Sequence, residues 1–286
     1  MLKDISIIVP SIRPKNLIKF YNSALKGCKD ATFELVVASP YLIPEELMKK
    51  GNVKFLHTYA SPTVAFQMAT QLCDSEFIYN TADDCIIQDG VLDLALRMFK
   101  LLPLDYKDMI NMIYIEGILD VDTLEILPPE RRPDAQKNGI TPFPDYYWIA
   151  HAHQDLRLVG IDVSWKLCMQ FFMKLNYFLE LGGYDCAWEY YNHPMHDFAF
   201  RAQANGSKIV NLPQVAVHAS HLHANAGDHT PVLESQNGPD LVRFNEIYSK
   251  PNAAYSRIKL NYNNWRGHPQ IWSRRFDQNN LPLQPN

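Results

Sequence analysis

The sequence predicts an α/β fold built on a mostly parallel sheet with helices on both sides. Three observations carry this. Short apolar runs with strand character alternate with runs of helical period through the first hundred residues. Those strand runs close on breakers such as Pro10, Ser39-Pro40 and Asp83-Asp84. The chain has 286 residues, 47% of them hydrophobic, enough to bury a sizeable core.

The elements follow in order. Ile5 to Val9 is a buried strand ended by Pro10, and Asn16 to Leu25 has the period of an amphipathic helix. Phe33 to Ala38 is a second strand, and Pro44 to Lys49 suits a short helix with Pro near its start. Val53 to Leu56 is a third strand. Thr63 to Cys73 is a helix with Ser61 as N-cap and Pro62 at its first position. Glu76 to Tyr79 is the fourth strand and leads into the Asp pair. Asp89 to Leu101 reads as helix and Met109 to Glu116 as strand. The proline-rich, charged stretch from Leu127 to Tyr147 reads as a long loop on the working face. Val159 to Phe172 returns to strand-like runs. Asn176 to Leu181 is a short helix stopped by Gly182-Gly183, Asp197 to Asn205 is helical, and Ile209 to Val217 is a last strand. Beyond Gly238 the chain turns polar and rich in Asn, Pro and aromatics, which suggests a peripheral C-terminal extension, 239–286, after a main unit, 1–238.

Composition narrows the function. A net charge of −4 argues against a surface that tracks nucleic-acid phosphates throughout. Five cysteines without a CxxC spacing read as buried thiols in a reducing compartment. No secretory signal or membrane-length apolar run is present, so the expectation is a soluble cytoplasmic protein, peripheral membrane association aside. Asn205-Gly206-Ser207 then reads as a turn.

The segment Phe77-Ile78-Tyr79-Asn80-Thr81-Ala82-Asp83-Asp84 is the most informative. Two adjacent carboxylates at a strand end repel one another unless a cation sits between them. One reading is a divalent-metal site at the sheet mouth, where open α/β sheets bind ligands. The other makes Asp83 a helix cap and Asp84 a solvated turn residue. Farther on, His218-Ala219-Ser220-His221-Leu222-His223 places imidazoles after the last strand, where His218 and then His221 are candidate metal ligands.

Four segments in order resemble the inverting glycosyltransferase family 2 with a GT-A (Rossmann-like) fold: Ile5 to Ser11, Thr81-Ala82-Asp83-Asp84, Leu181-Gly182-Gly183-Tyr184-Asp185, and His196-Asp197-Phe198-Ala199-Phe200-Arg201. The resemblance covers roughly residues 4 to 221. It implies transfer of a sugar from a nucleotide-sugar donor to a hydroxyl acceptor, with inversion and with Mn²⁺ or Mg²⁺ neutralising the leaving pyrophosphate. It implies Asp84 as direct metal ligand, Asp83 as ribose or second-shell partner, and Asp197 as general base, with Glu189 and Asp185 next. It divides the chain into a nucleotide-sugar half, 1 to about 100, and an acceptor half, 101–238. Pro10, Ser11, Thr63 and Gln67 fall on the donor side.

The sequence departs from that pattern twice. His196 stands where many relatives have Glu, and Ala38-Ser39-Pro40-Tyr41 replaces the usual acidic pair after the second strand. Base recognition is then expected from the Ser39 hydroxyl and from stacking on Tyr41. The acceptor is expected to be a saccharide. Trp265-Arg266 and Trp272-Ser273-Arg274-Arg275 also fit a DNA acceptor of the bacteriophage type, or a tail folded back over the domain. A non-catalytic sugar-binding module would leave Asp197 idle. A nucleotidyltransferase would need glycines that Ser11-Ile12-Arg13-Pro14-Lys15 lacks.

Overall fold

The computed structural model describes residues 2–112, 114–116, 148–150, 155–190, 192–212, 217–219 and 230–282. The strands are β1 (Lys3–Pro10), β2 (Phe33–Ser39), β3 (Val53–His57), β4 (Ser75–Asn80), β5 (Cys85–Ile87), β6 (Met109–Asn111), β7 (Tyr114–Glu116), β8 (Trp148–Ala150), β9 (Asp155–Arg157), β10 (Ser164–Lys166), β11 (Phe171–Lys174), β12 (Ile209–Asn211) and β13 (Val217–Ala219). The helices are α1 (Leu17–Gly27), α2 (Glu45–Met48), α3 (Pro62–Ala69), α4 (Val91–Leu101), α5 (Leu175–Glu180), α6 (Asn192–Ala204), α7 (Thr230–Ser235) and α8 (Leu241–Tyr248).

Seven strands form the central sheet in the order β12-β6-β11-β4-β1-β2-β3. All neighbours are parallel except β11, which runs antiparallel to both β4 and β6. The interior strands are buried on both faces, which is why β1 and β2 read as continuous apolar runs. Ile5, Ile7 and Val9 point into one core with α1 and α4, while Ile8 points into the other with α3, α5 and α6. Helix α1 buries Leu17, Phe20, Tyr21 and Ala24, an i, i+3, i+4, i+7 stripe. Ser61 caps α3 by accepting from the Val64 amide, with Pro62 at the first position, as its sequence predicts.

Three elements differ from the sequence reading. The run Met109 to Glu116 is split: β6 lies in the central sheet and β7 in a separate four-stranded sheet, β5-β13-β7-β8. Between them the Met112 amide donates to the Gln170 carbonyl. Helix α6 starts at Asn192, not Asp197, because Pro194 falls in the first turn, where amides have no intrahelical acceptor. The run Ile209 to Val217 is likewise split, with β12 in the central sheet and β13 in the four-stranded one. The segment after Gly238 lies outside the sheet and buries Tyr248, Ala254, Trp272 and Phe276. No helix among the described residues is long and apolar enough to cross a membrane.

Candidate active site at the mouth of the sheet

Parallel pairing aligns the carboxyl ends of β1, β2, β3 and β4. Pro10 sits beside Ala38, Ser39 beside His57, and Ile8 beside Asn80. Backbone bonds extend the alignment past the strands: Ser11 donates to Ala38 (2.9 Å), Thr58 to Ser39 (3.0 Å) and Thr81 to Ile8 (3.2 Å). Ser11, Ser39 and the Asp pair therefore converge on one edge from distant points in sequence.

Asp83 is buried and fully engaged. Its Oδ2 accepts from Ser11 Oγ (2.7 Å) and the Arg13 amide (3.0 Å). Its Oδ1 accepts from Arg13 Nε (2.9 Å) and Nη2 (2.5 Å). The same Nη2 lies 3.3 Å from Asp84 Oδ2. The cation between the two carboxylates is thus a guanidinium from the β1 loop. The sequence reading missed Arg13, although its place beside Pro14, just past a strand end, was a usable signal. Four donors engage Asp83, the residue expected as ribose or second-shell partner, and through them it fixes Ser11 and Arg13. Asp84 keeps capacity: its side chain is 11% exposed, and among the described residues its Oδ1 meets Cys85 Sγ alone, at 4.0 Å.

The other donor-side candidates divide. Ser39 is buried, and its Oγ accepts from the Tyr41 amide (3.1 Å), leaving Tyr41 partly exposed at the rim. Thr63 is buried at the start of α3, and its Oγ1 has no partner among the described residues. Gln67, expected as a nucleotide or phosphate contact, is engaged within the protein. Its Oε1 accepts from the Tyr184 amide (2.9 Å), and Nε2 donates to the carbonyls of Gly182 (3.0 Å) and Tyr262 (3.1 Å), so nothing is left for a phosphate. That packing explains Gly183: at φ +66° an added Cβ would collide with the Gln67 amide.

Asp197, assigned by sequence as the base, is completely buried. Arg201 Nε donates to Oδ2 (2.8 Å), Tyr248 OH to Oδ1 (2.7 Å), and Arg257 Nη2 lies 3.4 Å away. Arg201 also donates to the carbonyls of Leu181 (3.0 Å), Gly183 (2.5 Å) and Ile258 (3.3 Å). Both oxygens of Asp197 are committed in this arrangement, and through Arg201 the pair ties α6 to the Gly-Gly turn.

The two substitute carboxylates are also paired. Burial alone would raise the pKa of Asp185, but the donors Arg243 (2.7 Å), Ala187 amide (3.0 Å) and Arg257 (2.6 Å) hold it below the ordinary value. Burial likewise opposes ionisation of Glu189, and Ser235 (2.7 Å), Trp272 Nε1 (3.0 Å) and Arg274 outweigh it. His196 bonds the Cys168 carbonyl through Nδ1 (3.1 Å).

For a cation, Asp84 is the described ligand that fits, a carboxylate with open lone pairs at the mouth. Strand β13 runs antiparallel to β5 and sets His218 opposite Ile86, two positions beyond Asp84. His221 lies outside the described residues, among which no group of three or more His, Cys, Asp and Glu clusters. At the C-terminus, Trp272 is buried and Arg275 lies over its ring (5.8 Å). Arg266 lies over Trp265 (4.6 Å).

No protein-family profile and no curated sequence matches the chain. Solved structures do. S. aureus TarS 1–349 superposes with a TM-score of 0.52 at 14% identity, covering 92% of this chain and 71% of that one. TarS 1–349 in complex with UDP-GlcNAc gives 0.53 at 14% identity, covering 92% and 72%. Longer TarS gives 0.51 at 16% identity, and this chain spans 36% of it. GalNAc-T7 with UDP, GalNAc and Mn²⁺ gives 0.50 at 13% identity, covering 94% and 58%. With its mixed seven-stranded sheet and its Asp-bearing mouth, the chain has the GT-A glycosyltransferase fold.

Proposed function

We propose that this chain transfers a sugar from a nucleotide-sugar donor to a hydroxyl acceptor, with inversion and with assistance from Mn²⁺ or Mg²⁺. The observation that carries this reading is Asp84, held half-neutralised beside Arg13 at the mouth of a fold that TarS shares and that has been seen there with UDP-GlcNAc. Bound to Asp84, with His218 and then His221 as further ligands, the cation would supply charge neutralisation to the departing pyrophosphate.

The chain's own groups build the rest. Ser11 and Arg13 are locked in place by Asp83, so the β1 loop is preorganised before donor arrives. The Arg13 guanidinium adds fixed positive charge to the edge where leaving-group charge develops. Ser39 fixes the Tyr41 backbone at the rim, which suits a ring that stacks on a base. The Thr63 hydroxyl is a buried polar group without a described partner on the same side. Asp197 stands as the general base that takes the acceptor hydroxyl proton, with Glu189 and Asp185 as the next carboxylates on that side, and each would have to be released from its present donors to act. A saccharide acceptor is favoured over DNA by the pairing of Arg274 with Glu189, which turns that guanidinium away from a phosphate.

Turnover of UDP-, GDP-, CMP- and dTDP-sugars with Mn²⁺ tests the reading directly, and binding without turnover would favour a sugar-binding module. Replacing Asp84 with Asn is expected to abolish the metal-dependent part of nucleotide affinity while the thermal midpoint holds. Calorimetric titration of nucleoside diphosphate with and without Mn²⁺ reads this, and unchanged metal dependence would remove Asp84 from the ligand set.

A further inference from the structure

The loop from Gly182 to Tyr190 joins the Gly-Gly turn to α6 and borders the mouth. The Glu189 carbonyl accepts from the Thr63 amide (3.2 Å), and Cys186 packs on Ala60 and Val64. The C-terminal segment holds this loop along its length. Leu260 N donates to the Leu181 carbonyl (3.0 Å). Asn264 accepts from the Cys186 amide (3.1 Å) and donates to the Tyr184 carbonyl (2.9 Å). The Asp240 carboxylate accepts from the amides of Glu189 (3.0 Å) and Tyr190 (2.8 Å), and its carbonyl accepts from Trp188 Nε1 (3.2 Å).

Asp240 is the informative member. It is 1% exposed, and no Lys or Arg among the described residues lies within ion-pair distance. A buried carboxylate without a cation is an expensive way to fill space, and an apolar side chain would pack at lower cost. What Asp240 uniquely provides is two strong acceptors that fix two consecutive loop amides. Asn264 does the same for the other half of the loop from both sides of its amide group.

We propose that Asp240 and Asn264 are positioning residues for glycosyl transfer, through which the C-terminal segment sets the Tyr184–Tyr190 loop against the site. This rests on the transferase reading above. The Asp240 and Asn264 side chains bond the loop through its backbone groups, so they act on the shape of the mouth.

The test uses the whole chain with Asp240→Asn and, separately, Asn264→Ala, which removes two bonds from a half-buried side chain and keeps the buried core. Hydrogen–deuterium exchange over peptides covering 184–190 is expected to quicken about tenfold in each variant. Transfer kcat is expected to fall about tenfold while UDP affinity stays within about twofold, and Asn264→Ala is expected to keep the thermal midpoint. Unchanged exchange overturns the clamp. Quickened exchange with normal kcat overturns the positioning role, as does a parallel loss of kcat, UDP affinity and midpoint, which a merely structural role produces. A wild type that turns over no donor overturns the transferase reading and the positioning role with it, while the exchange result still decides the clamp.

Discussion

At the scale of single residues, a charged side chain is defined by what surrounds it. Asp83 and Asp84 are neighbours in sequence, yet one is saturated by four donors and the other keeps open lone pairs. Asp197 carries the same lesson. The family resemblance assigns it as a base, and its i, i+4 pair with Arg201 is fully buried and shared with Tyr248 and Arg257. Asp197→Asn is therefore expected to cost about 3–5 kcal/mol of stability, because it leaves buried arginines with a neutral partner. A urea midpoint measures this. If the midpoint instead stays put while transfer falls about 10² to 10⁴-fold, Asp197 is the base.

At the scale of elements, the loop before α6 and the start of α8 share a group whose ionisation is opposed. Burial, aided by the nearby Glu189 carboxylate, pushes the pKa of Asp240 up to about 6. The folded protein then holds a proton at this site that the unfolded chain releases near pH 4. Stability from Asp240 is thus complete below about pH 4 and is lost as pH rises through about 6. Asp185 and Glu189 act in the opposite sense, since their lowered values give stability that is lost only as pH falls below the ordinary carboxylate range. Replacing Asp240 with Asn should remove the first dependence alone. Melting curves from pH 4 to 7 are expected to show the variant gaining on wild type as pH rises, and a constant difference would contradict this.

For the whole molecule, the question is whether the Trp/Arg-rich tail faces outward or inward. Inward contacts dominate. Trp272 N donates to the Tyr59 carbonyl (2.9 Å), Tyr59 OH donates to the Pro282 carbonyl (2.7 Å), and Arg274 pairs with Glu189. Replacing Arg274 and Arg275 together with Ala is expected to leave nucleic-acid binding unchanged, and wild type should show no specific, salt-steep DNA affinity. A gel-shift series across salt concentration checks both, and a steep salt slope lost in the double variant would establish a DNA acceptor.

The sequence by itself determined the leading strands of the sheet and the place of the Asp pair at its mouth. Apolar runs of strand length, broken by Pro10, Ser39-Pro40 and Asp83-Asp84, encode β1, β2 and β4, and the Ser61-Pro62 signal encodes the start of α3. Such signals are local: periodicity, capping and breakers act within a few residues. Only the tertiary structure decided which polar groups remain available. Arg13 reaches Asp83 across 70 positions, Tyr248 reaches Asp197 across 51, and Gln67 meets the Tyr184 amide across 117. Whether a carboxylate or amide is free to bind a ligand depends on donors brought in from such distances. No local pattern encodes that, because burial and hydrogen-bond saturation exist only once the chain has closed on itself.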